Sequence, residues 1–188
     1  MIEDVIGIIN RQLSDTFGKY PGVKIYGLTQ SLTTRSKDGK TALLPVVVNT
    51  DGEGTYVGVD DTAPMRIYHK NLSLNISLQP TSGSVFGDER GETKNLYNNA
   101  LLVFFDRSRI PLTADQVQIY IQSATPQNVT HKPFRSINVL FQSVNLNSQQ
   151  VYQAEYQNGQ VIDPGWSLMQ INYQVEALFS KRCFPVCP

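Results

Sequence analysis

Apolar residues recur at three- and four-residue steps at the start of the chain. Ile2, Val5, Ile6, Ile9, Leu13 and Phe17 would share one face of a helix. Gly18 offers a stop and Pro21 prevents continuation. The stripe predicts a helix packed on a sheet.

The pattern then changes to that of strands. Residues 23–28 alternate in part, and residues 41–48 form a second apolar stretch. Between them lies Lys37-Asp38-Gly39-Lys40, a hairpin signal, because Asp-Gly tolerates positive φ. Pro45 donates no backbone hydrogen bond, which predicts an edge position or a bulge. Asp51-Gly52-Glu53-Gly54 reads as another turn. Leu72, Leu74, Ile76 and Leu78 alternate with polar residues, as in a strand with one wet face. A long polar loop follows at about 80–95, too long for a tight turn. Residues 100–105, Ala-Leu-Leu-Val-Phe-Phe, have no polar face and read as a central strand buried on both sides.

Thr113-Ala114-Asp115-Gln116 has the form of a capping box, in which hydroxyl and amide side chains satisfy each other's backbone N–H. Val117, Tyr120, Ile121 and Ala124 give the helix its buried stripe, and Pro126 ends it. Ile137, Val139 and Phe141 begin another strand; Val144 and Leu146 shift parity, which predicts a bulge. A short helix is expected at 148–156. Last comes a strand of strict alternation, with Met169, Ile171, Tyr173, Val175, Ala177 and Phe179 on one side. Gln170, Asn172, Gln174 and Glu176 lie on the other, over roughly 35 Å at strand rise. The expected fold is α+β, one domain over residues 1–188, with a mostly antiparallel twisted sheet and two main helices on one face.

Composition adds a surface argument. The chain has 28 Asn plus Gln against 16 acidic and 16 basic residues, so neutral amides stand where charges are usual. Such surfaces can be buried against a neighbour without the desolvation cost of charge; the same bias is also a compositional habit of some organisms. Zero formal net charge argues against tight nucleic-acid binding. No apolar run reaches membrane-spanning length, and the acidic start Met1-Ile2-Glu3-Asp4-Val5 is unlike a signal peptide.

Candidate chemistry is sparse. No phosphate loop and no G-x-S-x-G elbow occurs. Gly83, Gly87 and Gly91 recur without the lysine and helix start that a phosphate site needs. His69, within Arg66-Ile67-Tyr68-His69-Lys70, and His131, in a loop before a strand, read as surface histidines with no nucleophile pattern nearby. Arg66 with Lys70, like most of the basic pairs, is expected on a solvated face or at the rim of a contact. Asp51, Glu53, Asp60 and Asp61 lack EF-hand spacing and read as solvated turns. The sequons at Asn71, Asn75 and Asn128 read as chance. Cys183 and Cys187 can be free thiols, a small disulfide loop, or two ligands of a metal whose others are not apparent. Trp166 either packs over the start of the last strand or anchors an interface or a sugar. No catalytic, cofactor-binding or metal residue is assigned. A protein- or carbohydrate-binding module is the alternative to a structural subunit.

The order of elements is similar to that of tail-terminator and head–tail joining ring proteins of tailed bacteriophages. The likeness is strongest from Phe134 to Cys183, with Val151-Tyr152-Gln153-Ala154-Glu155-Tyr156 before the long closing strand. The amide-rich style and the Arg-Cys-Phe-Pro-Val-Cys-Pro ending look like proteins of crAss-like phages of gut Bacteroidota. The resemblance implies a non-enzymatic virion protein, made in the bacterial host cytoplasm and placed in the neck or tail. It implies a ring of copies of this chain, stacked on portal, ring or tail proteins around a channel that passes DNA without sequence-specific binding. No cofactor and no membrane is implied. Candidate inter-subunit contacts are Asp38 and Gly39 in the hairpin, Phe86 and Arg90 in the polar loop, Trp166, and Phe184 in a C-terminal tail at about 180–188.

Overall fold

The computed structural model describes residues 2–35, 41–48, 54–56, 63–72, 85–86, 92–125, 129–131, 134–156 and 164–180. Three helices and nine strands are described. Helix α1 is Ile2–Phe17, and β1 (Val23–Arg35), β2 (Thr41–Val48), β3 (Gly54–Tyr56) and β4 (Met65–Asn71) follow. Then come β5 (Val85–Phe86), β6 (Glu92–Asp106), α2 (Ala114–Ala124), β7 (Val129–His131), β8 (Phe134–Asn145), α3 (Ser148–Tyr156) and β9 (Trp166–Ser180).

The strands form one sheet in the order β3-β2-β1-β4-β6-β9-β8-β7, with β5 paired to β6. Among the described pairs, β1 and β4 run parallel and the others are antiparallel. This is the expected α+β architecture with a mostly antiparallel sheet.

The alternation along β9 sets the two faces. Met169, Ile171, Tyr173, Val175 and Ala177 are buried under α1 and α2, together with Val5, Ile9, Leu13, Phe17, Val117 and Ile121 from the helices. The helices touch each other where Phe17 meets Tyr120 edge-on, centroids 6.4 Å apart. The opposite face has a smaller core, in which Val151 of α3 packs on Tyr68, Leu102 and Leu168. Two main helices thus share one face, and the short α3 covers part of the other.

Local chemistry explains the element ends. Gly18 N–H bonds to the Ser14 carbonyl at 2.8 Å, and a Cβ at Gly18 would lie only 2.7 Å from that oxygen. The left-handed residue is Gly22, at φ 80°, in the turn that feeds β1. At α2 the capping box is present: Gln116 N–H donates to Thr113 Oγ1 at 3.2 Å, and Thr113 N–H donates to Gln116 Oε1 at 2.9 Å. Before α2, Asp106 Oδ1 accepts from Ser108 N–H and Oγ–H. The expected bulge in β8 is a register shift between Phe141 and Ser143.

Several strands run further than periodicity suggested. β1 continues to Arg35, and β6 begins at Glu92, so the polar segment ends there. His131 closes the short strand β7 instead of lying in a loop. β4 stops at Asn71, and most of the alternating stretch from Leu72 to Leu78 lies outside the described residues. Beyond the level of Asn71, β1 and β2 stay paired from Thr29↔Val47 to Arg35↔Thr41, and β6 and β9 pair over 15 residues. Pro45 pairs with Ser31, just past the last residue of β2 that β3 covers. Among the described residues, Pro45 thus lies beyond the pairing of β2 with β3.

Candidate interaction surface and buried polar groups

Asp38, Gly39, Arg90 and Phe184 lie outside the described residues, as do Cys183, Cys187, Asp51, Glu53, Asp60 and Asp61. Phe86 is in β5, opposite Thr93 of β6. Trp166 begins β9, opposite Asp106. These candidates are not brought together by the described structure.

Trp166 is half-buried and stacked on Phe104, centroids 4.6 Å apart and planes 15° apart. The Arg66 guanidinium carbon lies 4.4 Å from the Phe104 centroid and 4.7 Å from that of Trp166. The expectation of a solvated Arg66 is overturned: it is 4% exposed. Strand β4 is inside the sheet, between β1 and β6, so its polar side chains must find cover. Arg66 finds it on two aromatic faces, whose quadrupoles favour a planar cation. Its Nε has no hydrogen-bond partner. Lys70, half-buried four residues further along the strand on the same face, bonds to Glu155 of α3 at 2.7 Å.

His69 is likewise not a surface residue but fully buried. A bulge places its partner. Ile25 pairs with Ile67 and Leu28 with His69, so β1 carries one extra residue between them. Tyr26 drops out of register, and its carbonyl accepts from Asn10 Nδ2 of α1 at 3.0 Å. A carbonyl can only accept, which fixes the Asn10 amide and turns its Oδ1 to His69 Nε2 at 2.7 Å. Nε2 must then carry the proton. Nδ1 is left as acceptor for the Tyr173 hydroxyl, at 2.6 Å. Burial holds the His69 pKa down at about 3 and pushes the Tyr173 hydroxyl well above its ordinary range. Both ring nitrogens are occupied and no ring atom meets solvent, so this imidazole has no free nitrogen for an outside substrate. Asn99, opposite Tyr173 on β6, is also buried, with Oδ1 unpartnered.

The larger feature is the part of the α3 face that no described helix covers. Helix α3 sits over Tyr68, Leu102 and Leu168, and the sheet continues past it. There Gln174 pairs across to Asn98 and Leu140, Asn172 to Ser143, and Glu176 to Leu96. All of these are half-buried or exposed. The amides bond to each other: Gln174 to Asn98 at 3.0 Å, Asn172 to the Ser143 hydroxyl at 2.9 Å, and Gln170 to Asn172 at 2.7 Å. Leu140, 40% exposed, projects among them. On the far side of the molecule, Ile119 projects from α2 at 60% exposure, flanked by Gln116, Gln122 and Ser123. Neither was singled out in the sequence. The signal was available, because Ile119 falls off the Val117–Tyr120–Ile121–Ala124 stripe and Leu140 off the Ile137–Val139–Phe141 parity.

Among the described residues no group of three His, Cys, Asp or Glu side chains is placed to hold a metal ion. No described helix is long and apolar enough to cross a membrane. No protein-family model and no curated protein matches this chain.

Proposed function

We propose that this chain is a structural subunit of a closed ring in the neck or tail of a tailed bacteriophage. As a tail terminator or head–tail connector it stacks against portal or tail proteins around the channel that passes DNA. The observation that carries the reading is the amide-rich sheet face around Asn98, Leu140, Asn172 and Gln174, which no described helix covers. Among the described residues, α1 and α2 pack on one face of the sheet, and on the other face the helix that packs is α3. A face of neutral amides can be buried against a neighbour at less desolvation cost than a charged one. Zero net charge suits a channel that passes DNA without gripping it.

The test is the native mass of the purified chain together with electron microscopy, alone and with head and tail proteins. Closed rings of one discrete copy number are expected. A chain that remains a monomer under all these conditions and binds a glycan instead overturns the reading.

A further inference from the structure

Arg66 carries a charge that the described residues leave unanswered. It is 4% exposed, and its Nε has no hydrogen-bond partner. A buried charge without an acceptor is costly, and an anion bound to it would offset that cost. The described acids nearest in the fold are engaged elsewhere. Asp106, opposite Trp166 on β6, accepts at Oδ1 from Ser108 N–H and Oγ–H. Glu155 of α3 accepts at Oε2 from Lys70. Neither bonds to Arg66.

The surroundings say which anion fits. Phe104 is the cross-strand partner of Arg66, and Trp166 stacks on Phe104, so two half-buried rings lie beside the guanidinium. A guanidinium donates in its own plane, through a fork of N–H groups that matches the two oxygens of a carboxylate. The rings offer apolar surface to the carbon chain that carries that carboxylate. Exposed Lys24, directly across from Arg66 on β1, adds positive charge at the rim and steers an anion inward. We infer that Arg66, Phe104 and Trp166 form a binding site for a carboxylate on an apolar chain: Arg66 takes the carboxylate and the rings take the chain. The carboxylate belongs either to a free acid or to an Asp or Glu side chain of another copy of this protein. The inference stands independently of the ring reading.

Trp166 is the sole tryptophan and reports the site directly. The full chain is titrated with hexanoate at constant ionic strength, and its tryptophan emission is followed. A saturable change is expected. Hexanamide, equal in size and uncharged, should bind weaker by roughly tenfold or more, and so should hexanoate to the Arg66→Met chain. Arg66→Lys, which keeps the charge without the fork, should fall between them. No saturation with hexanoate, or equal binding of hexanamide, overturns the inference. Asp60, Asp61 and Asp163 lie outside the described residues. Hexanoate that binds only to a chain with Asp60→Asn, Asp61→Asn and Asp163→Asn overturns it in favour of an acceptor from the same chain. Where rings form, loss of hexanoate binding on assembly assigns the carboxylate to a neighbouring copy, and its persistence assigns a free acid; either supports the site. A chain that stays monomeric and binds hexanoate supports the site while overturning the ring reading.

Discussion

The hydroxyl of Tyr173 donates to Nδ1 of His69 across 2.6 Å, between residues 104 positions apart in the chain. The bond joins two strands that are not neighbours, since β6 lies between β4 and β9. Asn10 completes the link from above, so one imidazole ties α1 to two strands of the sheet.

This link makes stability depend on pH in a definite direction. In the folded chain the His69 pKa is held at about 3, against an ordinary 6.5. Between those values the unfolded chain binds a proton that the folded chain does not. The stability that the neutral imidazole brings is complete above about pH 6.5 and is lost as pH falls toward 3. The slope is about 1.4 kcal/mol per pH unit at most. Urea unfolding between pH 7.5 and 5 is expected to show that slope, above the titration range of most carboxylates. His69→Gln, which keeps a donor and an acceptor but does not titrate, is expected to flatten it. Identical slopes for the two chains would sink the assignment.

Tyr173→Phe removes the donor and leaves the ring. His69 Nδ1 then becomes a buried acceptor without a partner, at about 1–3 kcal/mol. The unfolding midpoint in denaturant should fall with an unchanged m-value, as for a change in stability alone. A loss below about 0.5 kcal/mol would mean that water replaces the hydroxyl, contrary to full burial.

These residues also show what could be read along the chain and what could not. β9 was legible because its neighbours above and below differ: Met169 to Ala177 face helices, while Gln170 to Glu176 face the open side. The α2 capping box was legible because its two members are three residues apart. β4 was not. Its residues Arg66, His69 and Lys70 are polar, and what permits their burial is supplied by Phe104, Trp166, Tyr173, Asn10 and Glu155. Those partners lie at least 38 positions away, beyond any local window. The parity was nevertheless present, with Met65, Ile67 and His69 on one face and Arg66, Tyr68 and Lys70 on the other. The open surface was half legible: its amides stood out in composition, whereas Leu140 and Ile119 needed the fold to reveal that they project on opposite sides.

Thr113→Ala removes the hydroxyl that accepts from Gln116 N–H and breaks the capping box. Because α2 rests on the core mainly through Val117 and Ile121, its first turn depends on the cap. The expected loss is about 1 kcal/mol, and Thr113→Asp should recover most of it, since aspartate caps as well and favours the helix N-terminus. Thermal unfolding of the three chains measures both. A variant Thr113→Asp as unstable as Thr113→Ala would show that the hydroxyl acts through something other than the cap.

Arg66 offers the sharpest contrast between size and charge. Its guanidinium lies against Phe104 and Trp166 with Nε unpartnered, so the burial of charge is only partly offset. Methionine has similar length, fills the space and contacts aromatic rings well through sulfur. Arg66→Met is therefore expected to change stability by less than about 1 kcal/mol in either direction. Arg66→Ala leaves a cavity beside both rings and should lose about 2–3 kcal/mol. Trp166 is the sole tryptophan, so its fluorescence reads the stack directly. The methionine chain should keep an emission maximum near that of the parent, while the alanine chain should shift to the red as water reaches the indole. If methionine were as damaging as alanine, the positive charge itself would be what holds the rings, through a carboxylate or other acceptor that the aromatic contact alone does not account for.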